Sequence, residues 1–258
     1  LVGYACKHTY FTPDNSKIMT RLSVNINKVA LIRNSRGEDK PNLIQFAMDC
    51  ESFGAQGITV HPRPDERHIR FSDLSPLKEI VKTEFNIEGY PSQKFIKHVC
   101  AVKPHQVTLV PDPPGVLTSS EGWDTVKSKT MLIDVINQFH ADNIRVSLFL
   151  EADPQAVANA KETGTDRIEF YTGEYAKNYY SDRESAVKNH VIAAKEASNY
   201  GLGMNAGHDL NLDNLHYYIS HLPNLLEVSI GHALIGDALY FGIENTIRMY
   251  LHQINRKT

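Results

Sequence analysis

Three histidines and two glutamates stand at or near the ends of short β-type runs in this 258-residue chain. Ile58-Thr59-Val60 runs into His61, Phe85-Asn86-Ile87 into Glu88, and Asn205-Ala206-Gly207 into His208. Ser229-Ile230-Gly231 runs into His232, and Arg167-Ile168 into Glu169. Imidazole titrates near neutrality, and a carboxyl does so once it is buried, so the set can both accept and donate protons. A single strand-end His is more often a satisfied structural residue than a catalyst. Five such groups on one rim form a convergent acid/base set, and two neighbouring buried carboxyls raise at least one pKa, which suits proton transfer.

The same segments supply anion-binding groups. Arg33 and Arg36 follow the first run in Ile32-Arg33-Asn34-Ser35-Arg36-Gly37, and Arg63 and His68 follow His61. A guanidinium clamps phosphate through charge-assisted hydrogen bonds; the competing reading is a solvated surface arginine, strongest for Arg36. Gly207 and Gly231 allow the backbone to approach a phosphate closely, or serve only a tight turn. Metal chemistry is disfavoured. There is no His-x-His on the first run and no paired-His helix motif, and Arg33 and Arg63 would repel a cation.

Something must deliver these groups to one place. From residue 22 onward, β-type runs alternate with helical segments about eight times, at 22–27, 57–61, 84–88, 106–110, 144–150, 166–171, 202–206 and 225–230. This is the pattern of a parallel sheet with crossover helices. Along the runs, Leu22, Val24 and Ile26 oppose Ser23, Asn25 and Asn27; Val146, Leu148 and Leu150 oppose Arg145, Ser147 and Phe149; and Leu226, Val228 and Ile230 oppose Glu227, Ser229 and Gly231. An open parallel sheet covered on both faces would read as nearly continuous Val, Ile and Leu. One apolar and one mixed face predicts a single-domain (β/α)₈ TIM barrel over residues 19–258, with catalytic groups at the C-terminal strand ends. Asp153-Pro154 and Gly164 bracket one helix, and Ser181 with Glu184 predicts a capping box for another ending near Gly201. Two longer connections, Asp112 to Trp123 and Gly173 to Ser181, are candidate lids. Residues 1–18 lack periodicity and precede Met19; they are expected to be an extension outside the barrel.

Bulk properties exclude other classes. Hydrophobic residues make up 41% and charged residues 22%, an ordinary globular balance. A formal net charge of -3 without a long basic run argues against a nucleic-acid partner. No apolar stretch approaches the ~20 residues of a membrane span. Cys6, Cys50 and Cys100 form neither a CxxC pair nor a disulfide framework, which fits a reducing cytoplasm.

From about Leu22 to the C-terminal helix the chain resembles the pyridoxine 5′-phosphate synthase family. The resemblance rests on Val24-Asn25-Ile26, Leu31-Ile32-Arg33-Asn34-Ser35-Arg36-Gly37, and Gly57-Ile58-Thr59-Val60-His61 with Arg63 and Arg67-His68-Ile69. It rests further on Asn205-Ala206-Gly207-His208 and Ile230-Gly231-His232-Ala233. The resemblance implies condensation of 1-deoxy-D-xylulose 5-phosphate with 3-amino-2-oxopropyl phosphate, with no metal or organic cofactor, in octamers built from dimers. It implies proton acceptance by His61 and Glu88, proton donation by His208, and stabilisation of a cationic transition state by Glu169. Arg63, His68 and Thr118 would hold the deoxyxylulose phosphate, and Asn25, Arg33, Gly231 and His232 the aminoketone phosphate. The family commonly has Asp-His where this chain has Asn27-Lys28, and Gly where it has Asp209; these three are further candidate substrate contacts. Lys28 can still neutralise a phosphate, whereas Asp209 puts a carboxylate beside one. Another phosphosugar isomerase or epimerase, or a noncatalytic phosphometabolite-binding barrel, are the alternatives.

Overall fold

The computed structural model describes residues 19–112 and 121–256. Thr118, most of the Asp112–Trp123 connection and the 1–18 extension lie outside the described residues. Eight parallel strands close on themselves in chain order, each paired with the next and β8 with β1. The strands are β1 (Arg21–Asn25), β2 (Gly57–Val60), β3 (Glu84–Gly89), β4 (Gln106–Leu109), β5 (Arg145–Leu150), β6 (Arg167–Tyr171), β7 (Gly203–Gly207) and β8 (Leu225–Ile230). The expected (β/α)₈ TIM barrel is therefore the fold. Around it lie α1 (Asn27–Asn34), α2 (Leu43–Ser52), α3 (Leu74–Ile80), α4 (Gln93–Val102) and α5 (Lys129–Ala141). The ring is completed by α6 (Pro154–Lys161), α7 (Gly173–Asn199), α8 (Leu215–His221), α9 (His232–Phe241) and α10 (Ile243–Asn255).

The two faces of the strands separate as their alternation demands. Leu22, Val24, Ile58, Val146, Leu148, Ile168 and Val228 are fully buried in the layer between strands and helices. The alternate residues fill the barrel interior, and most of them are polar. Ser23 and Thr59 hydroxyls lie 2.8 Å apart, Asn86 Nδ2 donates to Thr59, and Thr108 Oγ1 lies 3.1 Å from Asn86 Oδ1. At the N-terminal end Arg145 and Arg167 gather on the Glu84 carboxylate. The β7–β8 register slips between Met204↔Leu225 and Asn205↔Glu227, and Glu227 is buried to 1% exposure.

Local punctuation largely agrees with the chain's chemistry. Asp153 caps α6 by accepting from the Gln155 and Ala156 amides, Pro154 follows it, and Gly164 (φ +83°) comes after the helix. Three expectations need correction. Gly173 to Ser181 is not a loop but the first turns of α7, because Tyr175 is buried against Tyr218 and His190 and donates to the Asn214 carbonyl at 2.7 Å. The break expected at Ser181 falls at Asp182 (φ -156°, ψ 87°), whose carboxylate accepts from the Ser185 amide, while Ser181 donates to the Asn178 carbonyl. The first strand also ends at Asn25 rather than residue 27, because Asn27 opens α1.

Candidate active site

The catalytic face is built by side chains that tie one strand end to the next. Asn25 ends β1; its Oδ1 accepts from the Asn27 amide at 3.1 Å, and its Nδ2 donates to Glu88 Oε2 at 3.4 Å. Asn27 Oδ1 then accepts from the His61 amide at 2.9 Å, fixing the residue that follows β2. Asparagine at position 27 thus supplies the acceptor this clamp requires. Gly231 packs closely against Asn25: a Cβ there would lie 3.1 Å from Asn25 Cβ. A Cβ on Gly207 would lie 2.4 Å from Glu169 Oε1, so glycine admits the carboxylate.

These ends enclose a cavity of about 550 Å³, within the range of small-ligand sites. His61, Glu88, Glu169, His208 and His232 all line it, together with Asn25, Asn27 and Lys28. Arg63, His68, Asp209 and Gly231 line it as well. Arg33 does not. Its guanidinium is buried and makes two hydrogen bonds to Asp73, at 2.8 and 2.9 Å, and one to the His68 carbonyl. Neighbouring Asn34 donates to the carbonyls of Arg67 (3.0 Å) and His68 (2.7 Å), so this pair holds the β2 loop rather than facing the cavity. Arg36 is exposed. Sequence reasoning missed Arg67, Phe149 and Ser229, which also line the cavity. Phe149 and Ser229 were already on the mixed strand faces, and Arg67 was in the quoted run before His68.

Burial sets the protonation states. Desolvation, then the charges of His68, Arg63 and Arg67, lower His61 to about 3, so it is a neutral acceptor. Desolvation with Arg67 and Arg63 lowers His68 to about 4. The Ile69 amide donates to His68 Nδ1 at 2.9 Å, which leaves the proton on Nε2 as a donor. The carboxyls move the other way. Desolvation and Glu227 raise Glu88 to about 8; desolvation and Glu88 raise Glu169 well above the ordinary carboxyl range, against a contact with Thr108. Glu227, deeper in the barrel, is raised to about 8 by burial and then Glu84, and neither oxygen has a hydrogen-bond partner among the described residues. Burial and mutual repulsion thus favour the protonated form in these carboxyls near neutral pH.

A profile of the family described as "Pyridoxal phosphate biosynthesis protein PdxJ" matches residues 22–256. The chain belongs to this family. A pyridoxine 5′-phosphate synthase from Porphyromonas gingivalis is 56% identical over 92% of this chain and 99% of its own length. One from Bacteroides thetaiotaomicron is 57% identical over 90% and 98%. Among solved structures, a tryptophan synthase from M. tuberculosis matches with a TM-score of 0.62 at 10% identity, covering 92% of this chain and 94% of that one. A phosphoribosyl anthranilate isomerase from Thermotoga maritima matches with 0.56 at 11%, covering 92% and 98%. At these identities the structures share the barrel fold with this PdxJ-family chain. Among the described residues no helix is long and apolar enough to cross a membrane.

Two outcomes follow for stability. Arg33→Ala leaves the Asp73 carboxylate without its guanidinium and lowers unfolding free energy by about 3 kcal/mol in urea titration, part of which Arg33→Ala/Asp73→Ala restores. Because Glu88 moves from 4.5 to about 8 on folding, the folded state binds more protons between those values, and this group's stabilisation is lost as pH rises through 8. Glu88→Gln removes that loss. Its Tm exceeds that of the parent above pH 8 by about 2–4 °C, the equivalent of ~1 kcal/mol in a domain of this size, and the gap closes toward pH 5.

Proposed function

We infer that this chain is a pyridoxine 5′-phosphate synthase, condensing 3-amino-2-oxopropyl phosphate with 1-deoxy-D-xylulose 5-phosphate to pyridoxine 5′-phosphate, inorganic phosphate and water. The observation that carries the reading is family membership of a chain whose cavity joins proton-transfer groups to cationic ones. Amine addition to a ketone, loss of water, elimination of phosphate and a ring-closing aldol step all move protons and need no redox agent.

The residues divide this work by charge. Arg63 and His68, from the β2 loop, hold the phosphate of the deoxyxylulose substrate, with Arg67 adding charge; Thr118 is assigned there by resemblance. Lys28 from α1, with Asn25, Asn27, Gly231 and His232, receives the aminoketone phosphate. Arg33 serves indirectly, by holding the segment that carries His68. His61, kept neutral by burial and surrounding positive charge, accepts a proton. Glu88 accepts one in its ionised form, and a cationic amine in the cavity offsets its desolvation and favours that form. Glu169 faces positive charge developing on the condensing nitrogen, and His208 returns a proton to the departing oxygen. Holding both substrates in one enclosure supplies much of the rate by orientation.

An isomerase or epimerase needs one phosphate clamp, whereas cationic groups here come from two places, Arg63 and Arg67 in the β2 loop and Lys28 on α1. A noncatalytic binding barrel needs no acid/base set. The reading extends to a homo-octamer in the cytoplasm; apolar Leu31, Ile32, Leu239, Tyr240 and Phe241 exposed on α1 and α9 support an assembly.

Incubating the protein with both substrates yields pyridoxine 5′-phosphate; binding without turnover would favour the noncatalytic reading. His61→Ala and Glu88→Gln lower product formation by about 10²–10⁴-fold with the fold retained, and near-normal turnover in either would refute the roles given. In the parent, kcat/KM rises with pH toward about 8 as Glu88 ionises, and Glu88→Gln loses this rise.

A further inference from the structure

The turn that follows β7 is strained at two successive residues. His208 has φ +82° and Asp209 has φ +56°, both in the left-handed region that side-chain-bearing residues disfavour. Neighbouring side chains hold the turn in place. Thr172 Oγ1 donates to the Gly207 carbonyl at 2.7 Å and contacts the His208 carbonyl, and Asn214 Nδ2 donates to the Asp209 carbonyl at 3.2 Å. Strain maintained in this way at a cavity rim points to a demand on the side chains, because glycine would take the same backbone with less cost.

The demand is visible in the geometry. Asp209 Oδ2 lies 2.9 Å from His208 Nδ1. Other groups bear on the same ring. From β6, the Tyr171 ring meets it edge-on at 5.1 Å, and Glu169 reaches the adjacent Gly207. Glu151, after β5, and Glu174, on α7, act on Tyr171, while His232, at the start of α9, acts on Asp209.

We propose that Asp209 is a positioning residue for His208: its carboxylate accepts a hydrogen bond from Nδ1, and so orients the ring with Nε2 toward the substrate. The proposal rests on His208 being the proton donor of the reaction inferred above. A carboxylate behind an imidazole fixes the tautomer and stabilises the cation as it forms. The hydrogen bond from His208, then the charges of His208 and His232, hold the Asp209 carboxyl below its ordinary value against the opposing effect of burial. Paired in this way, Asp209 does not stand as a bare anion beside a phosphorylated substrate. The strained turn is what lets one residue place its carboxylate on the ring of the residue before it.

Asp209→Asn tests this, with Asp209→Gly as a second variant that relieves the backbone strain and so guards against a merely misfolded turn. In both, kcat falls by roughly tenfold, while KM for either substrate changes less than about twofold. Nitrogen-15 NMR of the intact protein reads the ring directly: His208 Nδ1 carries the proton in the parent and loses that preference in both variants. An unaltered His208 spectrum in the variants overturns the pairing whatever the activity does. An unaltered kcat with raised KM overturns the positioning role and makes Asp209 a substrate contact. If the ring responds to Asp209 but no pyridoxine 5′-phosphate forms even in the parent, the inferred reaction fails while the pairing stands.

Discussion

Closing eight parallel strands into a barrel removes the inward side chains from bulk water, and four of those side chains here are glutamates. Glu84, at the N-terminal end, is matched by arginines. Above it Glu227, Glu169 and Glu88 form no ion pair among the described residues; Arg167 and Arg145 act on Glu227 only from a distance, and each of the three is pushed toward its protonated form by burial and by a neighbouring carboxyl. Much else about the site follows from this constraint. A catalytic carboxyl that is uncharged until a cation arrives is inexpensive to bury and strongly basic once ionised. The histidines answer to the same burial in the opposite sense: His61 and His68 are kept neutral, the first as an acceptor and the second as an Nε2 donor.

Electrostatics of this kind work only if the strand ends stay in register, and that is the task of short amides and hydroxyls. Asn25 ties Glu88 to the start of α1, Asn27 ties α1 to His61, and Asn34 ties α1 to the loop carrying His68. On the far side Thr172 and Asn214 hold the turn of His208 and Asp209. The site is thus held by a polar scaffold, and the fold by an apolar one.

Much of this was legible in the chain because a strand has a period of two. Alternation separated Leu22, Val24 and Val228 from Ser23, Asn25 and Glu227, and the ends of those alternations named His61, Glu88, His208 and His232. What was not legible depended on partners distant in sequence. Arg33 reads as a phosphate ligand until Asp73, forty residues on, is seen to occupy its guanidinium. The tyrosine-rich stretch after Thr172 reads as a loop because nothing nearby shows that Tyr175 is buried against Tyr218. Asp209 reads as a carboxylate facing phosphate, since a single sequence does not reveal the backbone angle that turns it onto its own neighbour. Arg67 was overlooked because nothing local in the run before His68 shows that its side chain, like that of Arg63, turns into the cavity.

Burial in the barrel interior favours the protonated form of the upper carboxyls. Carbon-13 NMR of the glutamate side-chain carboxyls, followed from about pH 5 to about pH 9, measures this directly, with Glu88→Gln, Glu169→Gln and Glu227→Gln assigning the signals. At least one of the three is expected to remain protonated at neutrality and to titrate near 8, the value to which burial and neighbouring carboxyls raise Glu88 and Glu227. Full ionisation of all three within the ordinary carboxylate range would contradict it.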